Sequence, residues 1–297
     1  MGETYRFQAK DKSFLLGQRT WLMGVVNVTP DSFYDGGFYF DPARAIERGL
    51  VLAAEGADII DIGGESTRPG SDPVPADEER KRVLSVISAL KEKTAALISI
   101  DTTKAEVAEA AIAAGASIVN DISAGRFDPQ MFPFVSGSGA GLILMHMKGT
   151  PKSMQINPYY EDVLAEVKAF LQERMEAAES FGIQRERLIV DPGIGFGKRL
   201  EDNLAILNNL NALADLGRPV LAGISRKSFI GKILNLDPSE RLEGTIAAAV
   251  VAVLRGASLL RVHDIQAVKR GVAVAEAILG QKKEFLPLKG TQKPYVH

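Results

Sequence analysis

The sequence contains no cysteine, no long hydrophobic run and no surplus of basic residues. The missing cysteine excludes disulfide bonds, thiolate catalysis and cysteine-ligated zinc. The longest uninterrupted apolar run, Ile246–Leu254, is far too short to cross a bilayer. Lysine and arginine number 35 against 37 aspartates and glutamates, which argues against nonspecific binding to nucleic acid or to an anionic membrane. The polar start MGETYRF lacks the apolar core of a signal peptide, so we expect a cytoplasmic enzyme.

Short apolar runs recur along the chain, and each gives way to an amphipathic or alanine-rich stretch. A short run rich in β-branched residues predicts a strand buried on both faces, and the stretch after it predicts a helix. Eight such units over about 260 residues fit a (β/α)8 TIM barrel better than an open doubly wound sheet. The predicted strands end at Asn27, Asp61, Asp101, Asn120, His146, Asp191, Gly223 and Arg261.

The barrel prediction also locates the functional site, because barrel enzymes build their active sites at the carboxyl ends of the strands. We therefore expect the polar strand ends to meet at one mouth. Residues 5–9 and 13–16 predict a short N-terminal hairpin that plugs the opposite end. We expect residues 1–280 to form a single barrel domain and residues 281–297 to form a loose tail.

Two of the expected helices carry capping signals at their starts. Asp41 precedes Pro42, a pair typical of the N-cap and the first helical position. Thr103 precedes Glu106 by the three residues of a capping box. The sequence therefore predicts helices that begin at these two points.

The most informative single stretch is LIVDPGIGFGK, residues 188–198. Leu188–Val190 predict a buried strand that delivers Asp191 at its carboxyl end. Pro192 ends the sheet, and the glycines behind it allow a ligand to approach the backbone closely. The stretch is neither a P-loop, which needs a hydroxyl where Arg199 stands, nor a G-x-G-x-x-G dinucleotide fingerprint. On this segment alone, a capped strand-to-helix turn without a ligand is the alternative.

Seven segments taken together closely resemble the dihydropteroate synthases, in the order that the family has, over most of the chain. The resemblance implies a reaction in which 4-aminobenzoate displaces diphosphate from 6-hydroxymethyl-7,8-dihydropterin diphosphate, with Mg2+, to give 7,8-dihydropteroate. It also implies a homodimer. The segments are NVTPDSFYDGG (27–37), DIGGESTRPGS (61–71), SIDTTK (99–104), VNDISAG (119–125), DPGIGFGK (191–198), GISRKSFIG (223–231) and RVHD (261–264).

The pterin contacts that the resemblance implies suit the chemistry of the ring. Asp101 and Asp191 offer acceptors to its amine and ring N–H, and Asn120 donates and accepts at once. Lys227 donates toward the carbonyl side of the ring. Without the resemblance, Asp101 and Asn120 are also typical of helix caps, and a lysine is more often a surface charge. By similarity the pterin contacts are Asp101, Asn120, Met145, Asp191, Phe196, Lys227 and Arg261.

The diphosphate requires positive charge that this slightly acidic chain must supply locally. Arg261 and His263 are two residues apart on one predicted strand, so both side chains point to the same face. By similarity, Arg261 also lies flat against the pterin ring, and Asn27 and Arg68 join it at the diphosphate. Asn27 is the implied magnesium ligand, since this ion takes few protein oxygens and keeps substrate phosphates. For His263 a place in the core is the alternative, although the neighbouring Asp264 disfavours it.

Two polar loops, residues 27–37 and 64–70, resemble lids over the site. Asp35 on the first loop is implied to stabilise a cationic intermediate and to pair with Arg68 on the second. Tyr34 departs from the small hydroxyl residue expected at its place, which puts loop contacts in doubt but not the chemistry. The implied 4-aminobenzoate contacts are Phe33, Thr67, Pro69 and Ser228.

The implied chemistry needs no nucleophilic side chain if diphosphate leaves first, which favours an SN1-like path. The implied catalytic residues are Asp35, Lys227, Arg261 and His263. Two alternatives remain open at this point. One is a methyltetrahydrofolate methyltransferase of the same barrel group, which has no diphosphate to hold. The other is a non-catalytic pterin-binding homologue, which only a turnover measurement excludes.

Overall fold

A computed structural model describes residues 3–29, 41–67 and 70–280. Two short strands, β1 (Tyr5–Ala9) and β2 (Lys12–Leu16), pair antiparallel as the predicted hairpin. The strands that follow form one parallel sheet of eight. They are β3 (Trp21–Asn27), β4 (Ile59–Gly63), β5 (Leu97–Asp101), β6 (Ile118–Asp121), β7 (Gly141–Met145), β8 (Leu188–Asp191), β9 (Leu221–Gly223) and β10 (Leu259–Val262).

The sheet curls into a barrel. Each strand from β3 to β7 pairs with the next one along the chain, while β10 pairs with β3 and with β9. A parallel bridge between Val190 and Val220 joins β8 to the residue before β9 and closes the seam. The (β/α)8 prediction is confirmed. Three strands continue past their predicted ends, to Gly63, Asp121 and Val262, and β7 stops one residue short, at Met145.

Helices cover the outside of the barrel, and the main core lies between them and the outward strand residues. Val26, Ile60 and Ile98 are at most 1% exposed there. Within the described ranges, no helix is both long and apolar enough to cross a membrane. The helices are α1 (Pro42–Glu55), α2 (Ala76–Lys93), α3 (Ala105–Ala114), α4 (Met131–Ser138), α5 (Val163–Ser180), α6 (Leu200–Asn208), α7 (Ser228–Leu234), α8 (Leu242–Leu254) and α9 (Ile265–Ile278), with 3-10 turns at Arg185–Arg187, Leu210–Leu216 and Pro238–Glu240.

The hairpin plugs the amino-terminal end of the barrel, as predicted. Phe7 and Leu16 are fully buried, and Phe14 meets Trp21 edge-on with ring centroids 5.2 Å apart. Burial of a leucine or phenylalanine side chain contributes roughly 1.5–3 kcal/mol, so the hairpin is part of the core. It packs on a layer of inward side chains near the start of the strands, which includes Ile59, Leu97, Ile118, Ile143, Ile189, Leu221 and Leu259.

One capping prediction is confirmed and the other is wrong. The Asp41 carboxylate accepts a hydrogen bond from Ala43 N at 2.8 Å, with Pro42 first in α1. The capping box predicted at Thr103 does not form, because α3 begins at Ala105 and its first free N–H binds Asp128 Oδ2 at 2.7 Å. The carboxylate comes from another loop, which sequence spacing along one helix does not reveal.

Candidate active site

The inward side chains that pack on the hairpin, here called the plug residues, show which residues point into the mouth. Side chains alternate along a strand, so the residue two positions after each plug residue also faces inward. Asp61 and Asp191 are reached in this way and are 0% and 4% exposed. Asp101 lies four positions after Leu97 on β5, so it also faces inward. The inward ring above the plug therefore contains Asp61, Asp101, Asn120, Met145, Asp191, Gly223 and Arg261.

Arg261 is the centre of a buried polar network. Its Nε donates to Asp61 Oδ2 at 2.6 Å, and a terminal nitrogen donates to Asp101 Oδ2 at 2.7 Å. The Asn120 amide also donates to Asp61 Oδ2, at 3.1 Å. One cation thus links the tips of strands β4 and β5, and an amide adds β6.

The two carboxylates of this network keep acceptor capacity. Asp61 Oδ1 and Asp101 Oδ1 are buried and bind no donor within the part of the chain that the structure describes. Burial raises the pKa of Asp101 to about 7, although the charge of Arg261 opposes the rise. Burial by itself would lower the pKa of Arg261, but the charges of Asp61 and Asp101 outweigh it and raise that pKa. The arrangement offers acceptors to a ligand that carries N–H donors.

Asp191 and Lys227 both approach Gly223. A Cβ atom placed on this glycine would lie 3.5 Å from Lys227 Nζ and 3.8 Å from Asp191 Oδ2, so a side chain there would crowd both groups. Asp191 Oδ1 accepts from Gly193 N at 2.7 Å, and burial raises the pKa of this carboxyl. Burial lowers the pKa of Lys227 to about 8. A carboxylate and an ammonium therefore stand side by side at the mouth.

An apolar wall adjoins these charges. Lys227 Nζ donates to the Ile194 carbonyl and lies 4.7 Å from the centroid of the Phe196 ring. Phe196 packs against a small cluster formed by Ile122, Met145, Met147 and Met154. A flat ring that enters the mouth meets hydrogen-bonding groups at its edge and an apolar surface at its face.

His146, predicted as a strand end at the mouth, lies elsewhere. Strand β7 ends at Met145, which faces inward, so His146 points outward between the barrel and its helices. Its ring stands edge-on to Phe170 with centroids 4.9 Å apart, and its Nδ1 lies 2.8 Å from Lys198 Nζ. The expectation that His146 joins the mouth is wrong.

His263 lies one residue beyond the end of β10, so it and Arg261 are not on one strand as predicted. Its Nδ1 is 2.9 Å from Ser225 Oγ, and its backbone N–H donates to the same oxygen at 3.2 Å. The loop after β9 therefore sets the position of this imidazole.

The remaining predicted residues divide into two groups. Asn27 ends β3 and is half-buried, and the exposed Ser228 begins α7. Thr67 and Asp101 line the same cleft, of about 320 Å³. Lys104 fixes the base of that cleft, because its Nζ binds Glu79 at 2.6 Å. Other predicted residues lie outside the described part of the chain: Phe33, Tyr34, Asp35, Arg68 and Pro69.

Two residues of this site were missed by the sequence reasoning. Asp61 appeared there only as a strand end, although it lies in DIGG at the same strand-tip position as Asp101 and Asn120 on their strands. Lys198 appeared only as the lysine of a failed P-loop, yet it is 3% exposed beneath the glycine loop. Its burial depends on the fold around α5, which the local sequence does not show.

Known proteins resemble this chain in sequence. The family described as pterin binding enzyme matches residues 23–263. The dihydropteroate synthase of Synechocystis is 45% identical over 263 residues, which are 88% of this chain and 91% of that protein. The dihydropteroate synthase of Escherichia coli K12 is 43% identical over 262 residues, covering 88% and 93% of the two chains.

Solved structures resemble the whole barrel. Xanthomonas albilineans dihydropteroate synthase with 4-aminobenzoic acid superposes with a TM-score of 0.87 and 46% identity, covering 93% of this chain and 99% of the other. The same organism's enzyme in complex with 7,8-dihydropteroate gives a TM-score of 0.83 at 44% identity, covering 92% and 98%. The similarity therefore extends over both sequence and fold.

Proposed function

Because the chain belongs to the pterin-binding enzymes, among the dihydropteroate synthases, we propose that its barrel mouth joins 4-aminobenzoate to 6-hydroxymethyl-7,8-dihydropterin diphosphate. The products are 7,8-dihydropteroate and diphosphate, so the enzyme is a transferase. The observation that supports this assignment is the Arg261 network beside Asp191 and Lys227, which combines acceptors, donors and an apolar wall in one mouth.

The pterin ring binds edge-first against the strand tips. Asp101, Asn120 and Asp191 pair with its amine and ring nitrogens, and Lys227 donates to its carbonyl side. Met145 and Phe196 contact the faces of the ring. Asp61 holds Arg261 and Asn120 in place, because both donate to its Oδ2. Asp101 Oδ1, which binds no described donor, remains for the ligand.

Arg261, His263, Arg68 and Asn27 bind the diphosphate. Within the described ranges, no three acidic or histidine side chains converge into a metal site. Asn27 offers a single neutral oxygen at the tip of β3, which fits a magnesium ion that takes its other ligands from phosphate and water. Asn27 would hold Mg2+, and the bound ion would neutralise charge on the departing diphosphate.

The reaction follows an SN1-like path. The bond between the methylene carbon and the diphosphate oxygen breaks first, and the electron pair leaves with the diphosphate beside Arg261 and His263. Asp35 stabilises the pterin cation. The amine of 4-aminobenzoate, held by Phe33, Thr67, Pro69 and Ser228, then attacks the methylene carbon and loses a proton.

A second copy of the chain covers an apolar groove between α6, α7 and α8. The groove holds about 640 Å³ and exposes Leu204, Ile233, Leu234 and Val251 by 40 to 54%. Apolar exposure concentrated on one face is typical of a protein–protein interface. We therefore place the homodimer contact here, and Ile233→Asp is expected to yield monomers in sedimentation analysis.

We also place the enzyme in the cytoplasm, which cell fractionation tests.

One turnover experiment tests the function and its path. The purified chain is expected to form 7,8-dihydropteroate and diphosphate in equal amounts with Mg2+ and both substrates. Omission of 4-aminobenzoate is expected to leave a slower, Mg2+-dependent release of diphosphate. Release strictly proportional to 4-aminobenzoate occupancy indicates direct displacement instead. Absence of any dihydropteroate favours the non-catalytic homologue, and methyl transfer from methyltetrahydrofolate favours the methyltransferase.

A further inference from the structure

Lys198 places a buried side-chain nitrogen beneath the loop of residues 193–197. Its Nζ lies 2.8 Å from His146 Nδ1, 2.9 Å from the Gly193 carbonyl and 3.1 Å from the Phe196 carbonyl. Within residues 3–29, 41–67 and 70–280, the partners of this nitrogen are His146 and backbone carbonyls, and none of them is a carboxylate. A lysine buried without an ion-pair partner is rare, so its position needs an explanation.

Two of the three close neighbours of Lys198 Nζ are backbone carbonyls, which accept hydrogen bonds. Burial lowers the pKa of His146 to about 2, so the imidazole is neutral, and its tautomer decides whether Nδ1 donates or accepts. Burial also lowers the pKa of Lys198 well below the usual value of a lysine. Charged or neutral, the side chain has N–H groups for both carbonyls, because an ammonium has three and a neutral amine has two, with a lone pair for Nδ1–H.

The loop above Lys198 carries two groups of the proposed pterin site. The Ile194 carbonyl accepts from Lys227, and the Phe196 ring lies beneath the same ammonium. The carbonyls of Gly193 and Phe196, on either side of this stretch, point down to Lys198. Asn203 Oδ1 accepts from Gly195 N at 2.6 Å and fixes the middle of the loop.

We propose that Lys198 is a positioning residue for pterin binding, which rests on the function proposed above. By donating to the Gly193 and Phe196 carbonyls and drawing them inward, its Nζ turns the Ile194 carbonyl and the Phe196 ring toward the mouth. The residue touches no substrate itself. Its removal must therefore weaken binding of the pterin more than binding of 4-aminobenzoate.

The test compares Lys198→Met, which keeps the length of the side chain without its donors, with Lys168→Met. Lys168 lies on the outer surface of α5 and pairs with Asp215, at 2.5 Å. We expect Lys198→Met to raise the KM for the pterin diphosphate and the Kd for a product-like pterin by at least tenfold. The KM for 4-aminobenzoate is expected to change by less than threefold, and Lys168→Met to match the wild type in every parameter.

Two further variants keep the test decisive. Lys198→Arg retains N–H donors and is expected to recover most of the pterin affinity. If Lys198→Met does not fold, as judged by circular dichroism, His146→Phe removes one hydrogen-bond partner of Lys198 while it keeps a ring against Phe170. It is expected to show the same selective loss, of about threefold or more. Equal losses for both substrates, or none, overturn the role of Lys198. A wild-type chain without turnover overturns the proposed function instead.

Discussion

Arg226 and Asp264 form a two-pronged ion pair, with Nε to Oδ2 at 2.8 Å and the second contact at 2.9 Å. Arg226 immediately precedes Lys227, and Asp264 immediately follows His263. The pair therefore ties the loop after β9 to the loop after β10. Arg226 also has a left-handed backbone, with φ of 54°. A non-glycine residue in that conformation is held there by its surroundings.

Removal of this tie is expected to disturb two proposed catalytic groups at once. Arg226→Met should lower kcat/KM by about tenfold or more, because Lys227 and His263 lose their relative placement, and should destabilise the fold by about 1.5–3 kcal/mol. Steady-state kinetics and urea denaturation measure the two effects. Arg255→Met, on an exposed residue at the end of α8, is the control, expected near wild type. An Arg226 variant with wild-type kinetics would show that the tie is dispensable.

Arg261→Ala is expected to abolish turnover. The change also leaves the buried carboxylates of Asp61 and Asp101 without their cation, which costs about 3–5 kcal/mol at neutral pH. The loss should shrink as the pH falls below neutrality, because Asp101, whose pKa burial raises to about 7 in the folded state, takes up a proton there and folding then favours the protonated form. Denaturation at pH 5 and pH 8 checks this sign. Arg255→Ala, on an exposed residue paired with Asn208, should show no such dependence.

Pterin binding is expected to weaken at high pH, where Lys227 loses its charge. Its pKa of about 8 means that the ammonium is lost as the pH rises through that value. Affinity for a pterin is therefore expected to fall above pH 8, after the titration of the ligand itself, measured in free solution, has been subtracted. In Lys227→Met the affinity should be weaker but should lack this fall, and Lys227→Ala should have no turnover. A wild-type affinity that stays constant from pH 7 to pH 9 contradicts the assignment.

Asp191→Asn is expected to weaken pterin binding far more than it lowers kcat. The amide keeps the shape of the carboxyl but replaces a charge-assisted acceptor with a neutral one and adds a donor. Calorimetry should show a rise in the Kd of the pterin of about tenfold or more, and the KM for 4-aminobenzoate should change little. A variant with unchanged Kd and reduced kcat places Asp191 in the chemical step instead.

Gly193 and Gly70 both have left-handed backbones, but alanine is expected to lower the free energy of unfolding more at Gly193 than at Gly70. Gly193 has φ of 67°, and a Cβ there would lie 1.9 Å from the His146 carbonyl oxygen. Gly70 has φ of 82° and open space around its Cβ position. Gly70→Ala should cost about 1–2 kcal/mol from backbone strain alone. Gly193→Ala should cost clearly more, since backbone must move as well, and equal urea midpoints for both variants contradict this.

Much of the architecture is predictable from the sequence because strands buried on both faces leave uninterrupted apolar runs. The eight runs, the hairpin and the polar residues at the strand tips all follow from that pattern. The role of Asp61 did not follow, because a run that ends in DIGG does not say which partner its carboxylate meets across the barrel. Arg261, its partner, lies 200 positions away in the chain.

Other features depend on packing between distant segments. His146 and Met145 are both plausible strand ends, and only the register of β7 decides which one faces the mouth. Lys198 is buried beside His146, 52 positions earlier in the chain, and the local sequence does not show that contact. The Thr103 capping signal was misleading for the same reason, since Asp128 of another loop supplies the capping carboxylate.

The central claim is that the strand tips of this barrel form one pterin site. A crystal structure of the protein with a bound dihydropterin tests it most directly. The account predicts a ring whose edge meets Asp101, Asn120, Asp191 and Lys227, with Arg261 between the ring and the diphosphate position. A dihydropterin bound outside the mouth, or one that leaves the Asp101 and Asp191 carboxylates without contact, would contradict it.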